Sequence, residues 1–333
     1  MVTMQEIADK LGINKSTVSK ALKNSGDLNE KTVELIRKTA IKMGYVSHRK
    51  TTDKDTTIGI IYPEIDDGMY WEIVSNLAKK IEDEGFRCLA LPFDFSNERA
   101  YEMFSYLVEK KVAGIFLIQE DFTKDYKIRE ESMISGISIV RISFDGDNSY
   151  YDNIWINEIA GVRDAVSKLV KLGHKDIAYI GDAKGFYREK IIKDVLFESG
   201  LSVNDDLFVT AKERNYSCGY EGAKKLLSQN SSFTVIIAQY DAVAIGAMRA
   251  LFEAGKKVPD DCSIIGIEDA GYSKYMVPSL STVNNNLHYL CSVAFALMKD
   301  KIYKKSKATQ SVLINSNFIE RESIGQNNNF ETK

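Results

Sequence analysis

Five polar side chains in one short segment near the N-terminus have the chemistry to contact DNA: Lys15, Ser16, Thr17, Ser19 and Lys20. A lysine ammonium can donate to the O6 and N7 acceptors of guanine in the major groove, whereas a serine hydroxyl reads bases less selectively. Both groups also bind phosphate oxygens. The segment therefore predicts a surface for duplex DNA.

The elements that must position these side chains are two short helices within residues 2–23. Apolar residues spaced i, i+4 mark the inner face of each helix. The pairs are Ile7 with Leu11 and Val18 with Leu22. Between the helices, Gly12 can adopt the positive φ that ends a helix, and Asn14 can accept an N–H as N-cap of the next one. This pattern predicts a helix-turn-helix whose second helix carries the five polar side chains.

A third helix and a linker follow. Asn29 is the predicted N-cap of this helix and Gly44 its end, so the helical DNA-binding domain is predicted to span residues 1–46. Residues 47–57 are polar and without periodicity, which predicts a linker.

This N-terminal part is basic although the chain as a whole is not. Residues 1–50 contain ten Lys or Arg and five Asp or Glu, a net charge of +5. The whole chain carries −3, so the remainder carries −8. A basic domain on an acidic body is typical of a DNA-binding domain attached to a part that does not contact DNA.

Several classes of protein find no support in the sequence. The four cysteines are scattered without disulfide or metal-ligand spacing. No segment is apolar enough for a membrane span or a signal peptide, and neither a P-loop nor a Gly-x-Ser-x-Gly motif occurs. We expect a cytoplasmic protein that is not an enzyme, needs no metal or cofactor and has no membrane partner.

From residue 58 onward, short apolar segments alternate with amphipathic helical patterns. Predicted strands lie at 58–62, 87–91, 115–118, 137–142, 177–181, 234–238 and 263–267. Predicted helices lie at 70–84, 97–111, 159–171, 187–199, 218–228 and 241–254. The alternation predicts parallel sheets covered on both faces, in two α/β lobes. Ligands of such sheets bind beyond the carboxyl ends of the strands.

A series of motifs runs through nearly the whole chain. They are the helix-turn-helix with Lys31-Thr-Val and Met43-Gly-Tyr45, Lys111–Ile115, Leu172–Gly181, Asp241–Leu251, Val258–Gly266, Leu280–Val283 and Glu320–Ser323. In this order they resemble the lactose-repressor/galactose-repressor (LacI/GalR) family of bacterial transcriptional regulators.

The resemblance implies an all-α helix-turn-helix head and an α/β periplasmic-binding-protein-like core of two doubly wound parallel-sheet lobes, with a ligand cleft between them. The implied N-terminal lobe is 58–157 with 285–314, and the C-terminal lobe is 158–284 with 315–325; the crossings lie near 156–159, 283–286 and 314–317. We expect residues 326–333 to be a frayed tail. The family acts as a homodimer or tetramer on palindromic operators.

For DNA contacts, the resemblance places base reading at the start of the second helix and phosphate contacts around it. The base-reading positions are Lys15, Ser16 and Lys20, and the phosphate positions are Thr3, Asn14, Thr17, Ser19 and Lys23. Thr17 and Ser19 have the alternative of merely solvating a helix face. The linker departs from the family, because it lacks the proline after Tyr45 and the hinge-helix leucine that enters the minor groove. Whether Arg49 or Lys50 replaces that leucine or the linker is simply solvated stays open.

For the effector, we expect side chains at the strand ends of both lobes. In the first lobe these are Tyr70, Trp71, Phe93, Gln119 and Phe144, and the aromatic rings among them could stack on a sugar. In the second lobe, the resemblance implies Asn157, Arg188, Arg214 and Asp241. The alternatives are packing for Tyr70 and Trp71, an N-cap for Asp241 and a surface position for Arg188. If Arg188 and Arg214 both face the ligand, two guanidiniums favour a sugar phosphate or acidic sugar; an alignment shift by one residue would instead place Asn215 there.

The predicted function is a ligand-responsive transcriptional regulator, a repressor of carbohydrate-utilisation genes controlled by a small effector. A regulator that uses a corepressor or a partner protein is the alternative. A solute-binding protein for transport is disfavoured by the basic head and the missing signal peptide.

Overall fold

The computed structural model describes residues 2–23, 28–45, 57–63, 68–94, 96–118, 126–144, 150–183, 186–229, 232–304 and 308–327. Most of the predicted linker, with Arg49 and Lys50, lies outside these residues, as do Gln119 and 328–333. Contacts divide the chain into two compact units. The first comprises Met1–Asp66, Ile73–Trp155 and Cys291–Val312, and the second comprises Asp67–Glu72, Ile156–Leu290 and Leu313–Lys333.

Helices and strands alternate along most of the chain. The helices are α1 Met4–Leu11, α2 Lys15–Leu22, α3 Glu30–Met43, α4 Gly68–Asp83, α5 Asn97–Glu109, α6 Tyr126–Ser135, α7 Glu158–Lys171, α8 Phe186–Glu198, α9 Asn215–Ser228, α10 Asp241–Glu253 and α11 Leu287–Lys299. The strands are β1 Thr57–Pro63, β2 Arg87–Phe93, β3 Gly114–Ile118, β4 Ser138–Ser143, β5 Asp152–Asn157, β6 Ile177–Asp182, β7 Phe208–Ala211, β8 Val235–Ala238, β9 Ser263–Glu268, β10 Ser281–Asn284, β11 Ser311–Asn315 and β12 Asn317–Ile319.

Helices α1, α2 and α3 form the helical head and confirm the predicted helix-turn-helix. Gly12 ends α1 with φ 66°, and Gly44 ends α3 with φ 73°, as the sequence indicated. Asn29 caps α3 by accepting a hydrogen bond from the Lys31 amide at 2.9 Å. Asn14 was expected to cap α2 in the same way; it occupies the N-cap position but makes no side-chain capping hydrogen bond.

Within the described residues, the strands form two sheets of six. The order is β11-β5-β4-β3-β1-β2 in one and β12-β10-β9-β8-β6-β7 in the other. The neighbours from β5 to β2 and from β10 to β7 pair in parallel, and β12 pairs antiparallel with β10. The fold class predicted from the sequence is therefore confirmed.

The sequence prediction omitted several elements that the structure contains. They are strands β5, β7, β10, β11 and β12 and helices α6 and α11. Every strand and helix that was predicted after residue 57 is present, with ends that differ by at most three residues.

The second unit has a topological switch point, where ligands of α/β sheets bind. Strand β6 lies between β7 on one side and β8 on the other, so the chain winds outward in both directions from this pair. Buried side chains cover both faces of the sheet, which places the core on each side and leaves the strand ends for polar groups. The carboxyl ends of β6 and β8 are thus the first place to look for a site.

Helices α9 and α10 of the same unit cross in direct backbone contact. A Cβ atom at Gly219 would overlap the carbonyl oxygen of Val243, and one at Gly246 would overlap the carbonyl oxygen of Tyr216. Only glycine permits this approach, because any larger side chain would have to push one helix backbone away.

The C-terminal segment is bound to the second unit as far as Asn327. Its amide donates to the Leu172 carbonyl at 2.9 Å, and its side-chain amide donates to the Gly173 carbonyl at 3.0 Å. His174 Nε2 lies 2.9 Å from the Gly325 carbonyl oxygen and therefore donates to it. The expectation that fraying begins at residue 326 is wrong for Asn327, because its backbone amide and its side-chain amide both have partners.

None of the described helices combines the length and apolar character needed to cross a membrane. Among the described residues, no three His, Cys, Asp or Glu side chains are grouped in a way that could hold a metal ion.

Candidate functional site

The polar face of α2 is open in the head. Lys15, Ser16 and Lys20 are exposed, while Thr17 and Ser19 are half-buried. The opposite face of the helix is buried in the head core through Val18, Ala21 and Leu22. The structure therefore brings the three predicted base-reading side chains onto one accessible surface.

The predicted phosphate contacts around α2 have different local roles. Thr3 forms a capping box with Glu6: its hydroxyl oxygen lies 3.2 Å from the Glu6 amide, and the Glu6 carboxylate lies 2.7 Å from the Thr3 amide. Asn14 and Lys23 are exposed at the two ends of α2. Thr3 is thus already engaged in starting α1, whereas Asn14 and Lys23 remain accessible for phosphate.

In the second unit, the strand ends carry a buried arginine surrounded by acceptors. Arg188 donates to both carboxylate oxygens of Glu158, from Nε at 2.8 Å and from Nη2 at 2.6 Å. Its Nη1 donates to the Gln239 carbonyl at 2.9 Å and to Glu268 at 3.1 Å. Burial alone would lower the pKa of the guanidinium, but the carboxylates of Glu158 and Glu268 hold it well above its usual value. The alternative of a surface position for Arg188 is wrong, because its side chain is 1% exposed.

Two consecutive residues at the end of β9 adopt positive φ values without being glycine. Glu268 has φ 120° and Asp269 has φ 57°. Asp269 forms an ion pair with Arg321 at 2.5 Å, and Glu268 is held by Arg188. Such strained backbone persists only where surrounding contacts fix it, and it concentrates at ligand-binding sites.

A second arginine is paired at the switch point. Arg214 Nε lies 3.0 Å from Asp182 Oδ2 at the end of β6. Gln239, directly after β8, accepts hydrogen bonds from the Asp182 amide at 2.6 Å and the Tyr179 hydroxyl at 2.9 Å. Burial would lower the pKa of Arg214, but Tyr240 and Asp182 raise it. The Arg214–Asp182 pair thus links the segment after β7 to the end of β6, and Gln239 links β8 to β6. These are the strand ends at which the strand order reverses.

Asp241 is a structural anchor within this unit. Its carboxylate is fully buried and accepts from the Ala270 amide at 2.8 Å and from the hydroxyls of Ser273 and Thr282 at 2.6 Å each. Burial raises its pKa to about 7, against the opposing effect of these hydrogen bonds. The alternative of an N-cap is wrong, because Tyr240 holds that position. Asp241 ties the start of α10 to the segment after β9 and to β10.

Asn285 was missed by the sequence reasoning. It is fully buried, and its Nδ2 donates to Glu158 Oε1 at 2.9 Å. Its Oδ1 has no hydrogen-bond partner among the described residues. The available signal was its place in the Asn284-Asn-Asn286 run after Val283, where β10 ends. We call this whole group the carboxyl-edge cluster: Glu158, Asp182, Arg188, Arg214, Gln239, Glu268, Asp269, Asn285 and Arg321.

The remaining predicted effector residues are placed as follows. Phe93 is fully buried in the core of the first unit, and Phe144 is also buried. Tyr70 is buried and Trp71 is 65% exposed at the start of α4, within the second unit's segment Asp67–Glu72. Asn157 caps α7 through the Ile159 amide at 3.2 Å and donates to Asn315. The structure therefore gives Phe93 a packing role, because no part of its ring is accessible to a ligand.

Comparison with known proteins decides the family. The model of "Bacterial regulatory proteins, lacI family" matches residues 3–48, and that of the "Periplasmic binding protein-like domain" matches residues 166–324. The HTH-type transcriptional regulator DegA of Bacillus subtilis is 28% identical over 330 residues, which cover 96% of this chain and 97% of DegA. The chain belongs to the LacI family.

Solved structures show the same fold for this LacI-family chain. A complex of the transcriptional regulator CelR with cellobiose has a TM-score of 0.71 at 21% identity and covers 97% of this chain and 100% of that one. A lac repressor dimer bound to operator and the anti-inducer ONPF has a TM-score of 0.72 at 19% identity, covering 97% and 99%. At these identities the likeness extends to the fold alone.

The two family matches coincide with the two polar surfaces of the LacI-family chain. Residues 3–48 contain the exposed face of α2, and residues 166–324 contain most of the carboxyl-edge cluster. Both predicted guanidiniums, Arg188 and Arg214, lie in that cluster, but each already has a carboxylate partner. The two unpaired cations that would favour an acidic effector are therefore not present at these positions.

Proposed function

We propose that this LacI-family chain is a ligand-responsive repressor of carbohydrate-utilisation genes. It binds a palindromic operator as a homodimer through α2, and a small uncharged polyhydroxy effector binds at the carboxyl-edge cluster. Such a regulator works in the cytoplasm, where its DNA is. The observation that carries the proposal is the exposed Lys15, Ser16 and Lys20 face of a head that matches the LacI-family model. The lac repressor dimer on its operator, of the same fold, supports it.

The balance of charge in the cluster supports an uncharged effector. Arg188, Arg214 and Arg321 face four carboxylates, those of Glu158, Asp182, Glu268 and Asp269. The pKa of the Glu72 carboxyl, in the same unit, is raised by burial and, to a smaller extent, by the negative charge of Asp269. The cluster thus offers hydrogen-bond acceptors in excess, including Asn285 Oδ1, which has no hydrogen-bond partner in the described part of the chain. Sugar hydroxyls supply the matching donors, whereas a phosphate would add negative charge beside carboxylates.

Lys15→Ala tests the DNA-binding part. We expect it to weaken binding by about 1–3 kcal/mol and to relax preference at one operator position, because Lys15 reads a base. The operator is first selected by the unmodified chain from a random-sequence DNA library, and affinities for single-base variants are then measured by fluorescence anisotropy. Uniform weakening across all variants would make Lys15 a phosphate contact, and selection of no sequence would overturn the proposed function.

A thermal-shift screen with neutral sugars and their phosphate esters tests the effector part. A ligand that binds only the folded state stabilises it by about 2.7 kcal/mol at a hundredfold excess over Kd. We expect neutral sugars, but not their phosphate esters, to raise the melting temperature. Larger increases with the phosphate esters would contradict the proposed effector class. Gel shifts with the same compounds then decide between inducer and corepressor, because an inducer weakens operator binding and a corepressor strengthens it.

A further inference from the structure

The head is joined to the rest of the first unit by an ion pair that is largely withdrawn from solvent. Arg37 Nη1 of α3 lies 2.9 Å from Glu131 Oε2 of α6, and each side chain is 12% exposed. Exposed ion pairs contribute little to a fixed geometry, because water and salt compete with them. A pair shielded to this degree holds its two helices more firmly, since removing one partner leaves the other charge poorly solvated.

The same arginine also reaches the DNA-binding helix. Arg37 Nε donates to the carbonyl oxygen of Ala21 at 3.3 Å, in the last turn of α2. One guanidinium therefore connects the carboxyl end of α2 with α6. A displacement of α6 would be transmitted to α2 through two adjacent contacts.

An apolar contact accompanies the ion pair. Ile134, three residues after Glu131 and so on the same side of α6, is 2% exposed. It belongs to the hydrophobic cluster of the head, together with Ile7, Val18 and Ile36. Part of the head core is therefore supplied by a helix outside the head.

Charges around the contact are complementary. Arg37 of α3 pairs with Glu131 of α6, and Lys38 pairs with Glu34 of its own helix at 2.5 Å. The pKa of Lys38 is raised first by its hydrogen bond and charge interaction with Glu34, and Glu130 adds a smaller effect in the same direction. Glu130 thus adds a weaker attraction between α6 and α3 to that of the ion pair.

The DNA-reading face stays accessible while this contact is made. Lys15, Ser16 and Lys20 are exposed in the same structure in which Arg37 contacts Glu131. The contact therefore leaves the DNA-reading face of α2 uncovered.

We propose that Arg37 and Glu131 are positioning residues, which fix the orientation of α2 on the first unit and so set the half-site spacing that a dimer accepts. The inference rests on the proposed function, because it needs a palindromic operator bound by two heads. Two heads held in fixed orientations fit one spacing, whereas loosely attached heads tolerate several.

The test uses the full chain and its selected operator. Binding is measured for this operator, for versions with the half-sites moved one base pair closer or further apart, and for a single half-site. Glu131→Gln removes the charge with little change in shape and leaves Arg37 bound to Ala21. We expect it to lower the preference for the selected spacing roughly tenfold, equivalent to about 1.4 kcal/mol, while affinity for the single half-site is unchanged. Glu131→Arg, which places like charges together, should lower the preference further.

Glu102→Gln is the matched control. It removes the carboxylate of an exposed pair with Arg99 in the same unit, so the spacing preference should be retained. The proposal is overturned if Glu131→Gln keeps the full preference, if it weakens half-site binding equally, or if the unmodified chain shows no spacing preference. Failure to select any DNA sequence would overturn the proposed function itself, which distinguishes the two.

Discussion

Arg188 is enclosed by acceptors that use four of the five N–H groups of its guanidinium. A buried cation of this kind holds the two carboxylates Glu158 and Glu268 together at the strand ends. Its first role is therefore to keep the carboxyl-edge cluster in one arrangement before any ligand arrives.

Arg188→Met should destabilise the protein by about 3–5 kcal/mol, because it leaves two buried carboxylates without their cation. The free energy of unfolding is measured in urea on the full chain. Arg249→Met is the control, since Arg249 makes an exposed pair with Glu253 whose loss should cost less than about 1 kcal/mol. Equal losses of unfolding free energy for the two variants would show that Arg188 does not organise the carboxyl-edge cluster.

Asp241 predicts a dependence of stability on pH. Its pKa is about 7 when folded and near 3.8 when unfolded, so between these values the unfolded chain holds fewer protons than the folded one. Stability should fall as pH rises from about 4 to 7, by at most about 1.4 kcal/mol per pH unit from this group.

Asp241→Asn cannot titrate and should lack this part of the slope when unfolding is followed across the same pH range. Asp205→Asn, which alters an exposed carboxyl, should reproduce the unmodified profile. Parallel profiles for the unmodified chain and Asp241→Asn would contradict a raised pKa.

At the scale of residues, sequence reasoning identified several polar side chains of the site but few of the residues with which they pair. Arg188, Arg214 and Asp241 do lie at one end of the second sheet, because parallel strands align their carboxyl ends. Their partners are distant in the sequence: Arg188 binds Glu158 and Glu268, which no spacing rule connects. Whether a guanidinium is available to a ligand depends on those partners, so the suggestion of an anionic effector could not be checked from the sequence.

At the scale of elements, helices α9 and α10 give a packing reason for one of the motifs that carry the family resemblance. Gly246, within the Asp241–Leu251 motif, and Gly219 let the two backbones touch. Gly219→Ala should destabilise the protein by about 1–3 kcal/mol, because the new methyl must displace a backbone carbonyl.

Gly271→Ala is the comparison for that experiment, because a Cβ there would meet nothing within 4 Å. Its midpoint in thermal or urea unfolding should stay close to that of the unmodified chain. If both variants unfold alike, the close helix crossing is not what requires glycine.

There are physical reasons why sequence reasoning missed helices α6 and α11 and strand β5. In α6, Ile128 packs in the core of the first unit and Ile134 in that of the head, so its apolar residues do not follow one face. The sequence of α11 is apolar at most positions, and few polar residues mark its outer face. Strand β5 begins with Asp152-Asn and ends with Asn157, which a propensity scale assigns to turns. Tertiary contacts decide all three.

For the whole molecule, the uneven charge predicts a strong dependence of DNA binding on salt. The basic N-terminal part attracts phosphate while the acidic remainder does not. The logarithm of the binding constant should fall linearly with the logarithm of salt concentration, and each phosphate contact contributes about −0.9 to the slope.

Lys23→Ala should make that slope less steep by about 2 in a dimer, because one phosphate contact is lost from each head. Lys171→Ala, which removes the same charge from an exposed site in the second unit, should leave the slope unchanged. Anisotropy titrations at several salt concentrations measure both, and an equal change in slope would mean that overall charge matters more than position.

Under the proposed function, the paired arginines of the carboxyl-edge cluster determine which compound in the cell the regulator responds to. A site that accepts an uncharged polyol and turns away its phosphate ester responds to a nutrient only until a kinase acts on it. The signal then reports the surplus of arriving material over the capacity to phosphorylate it, so transcription would follow supply and would cease once consumption keeps pace.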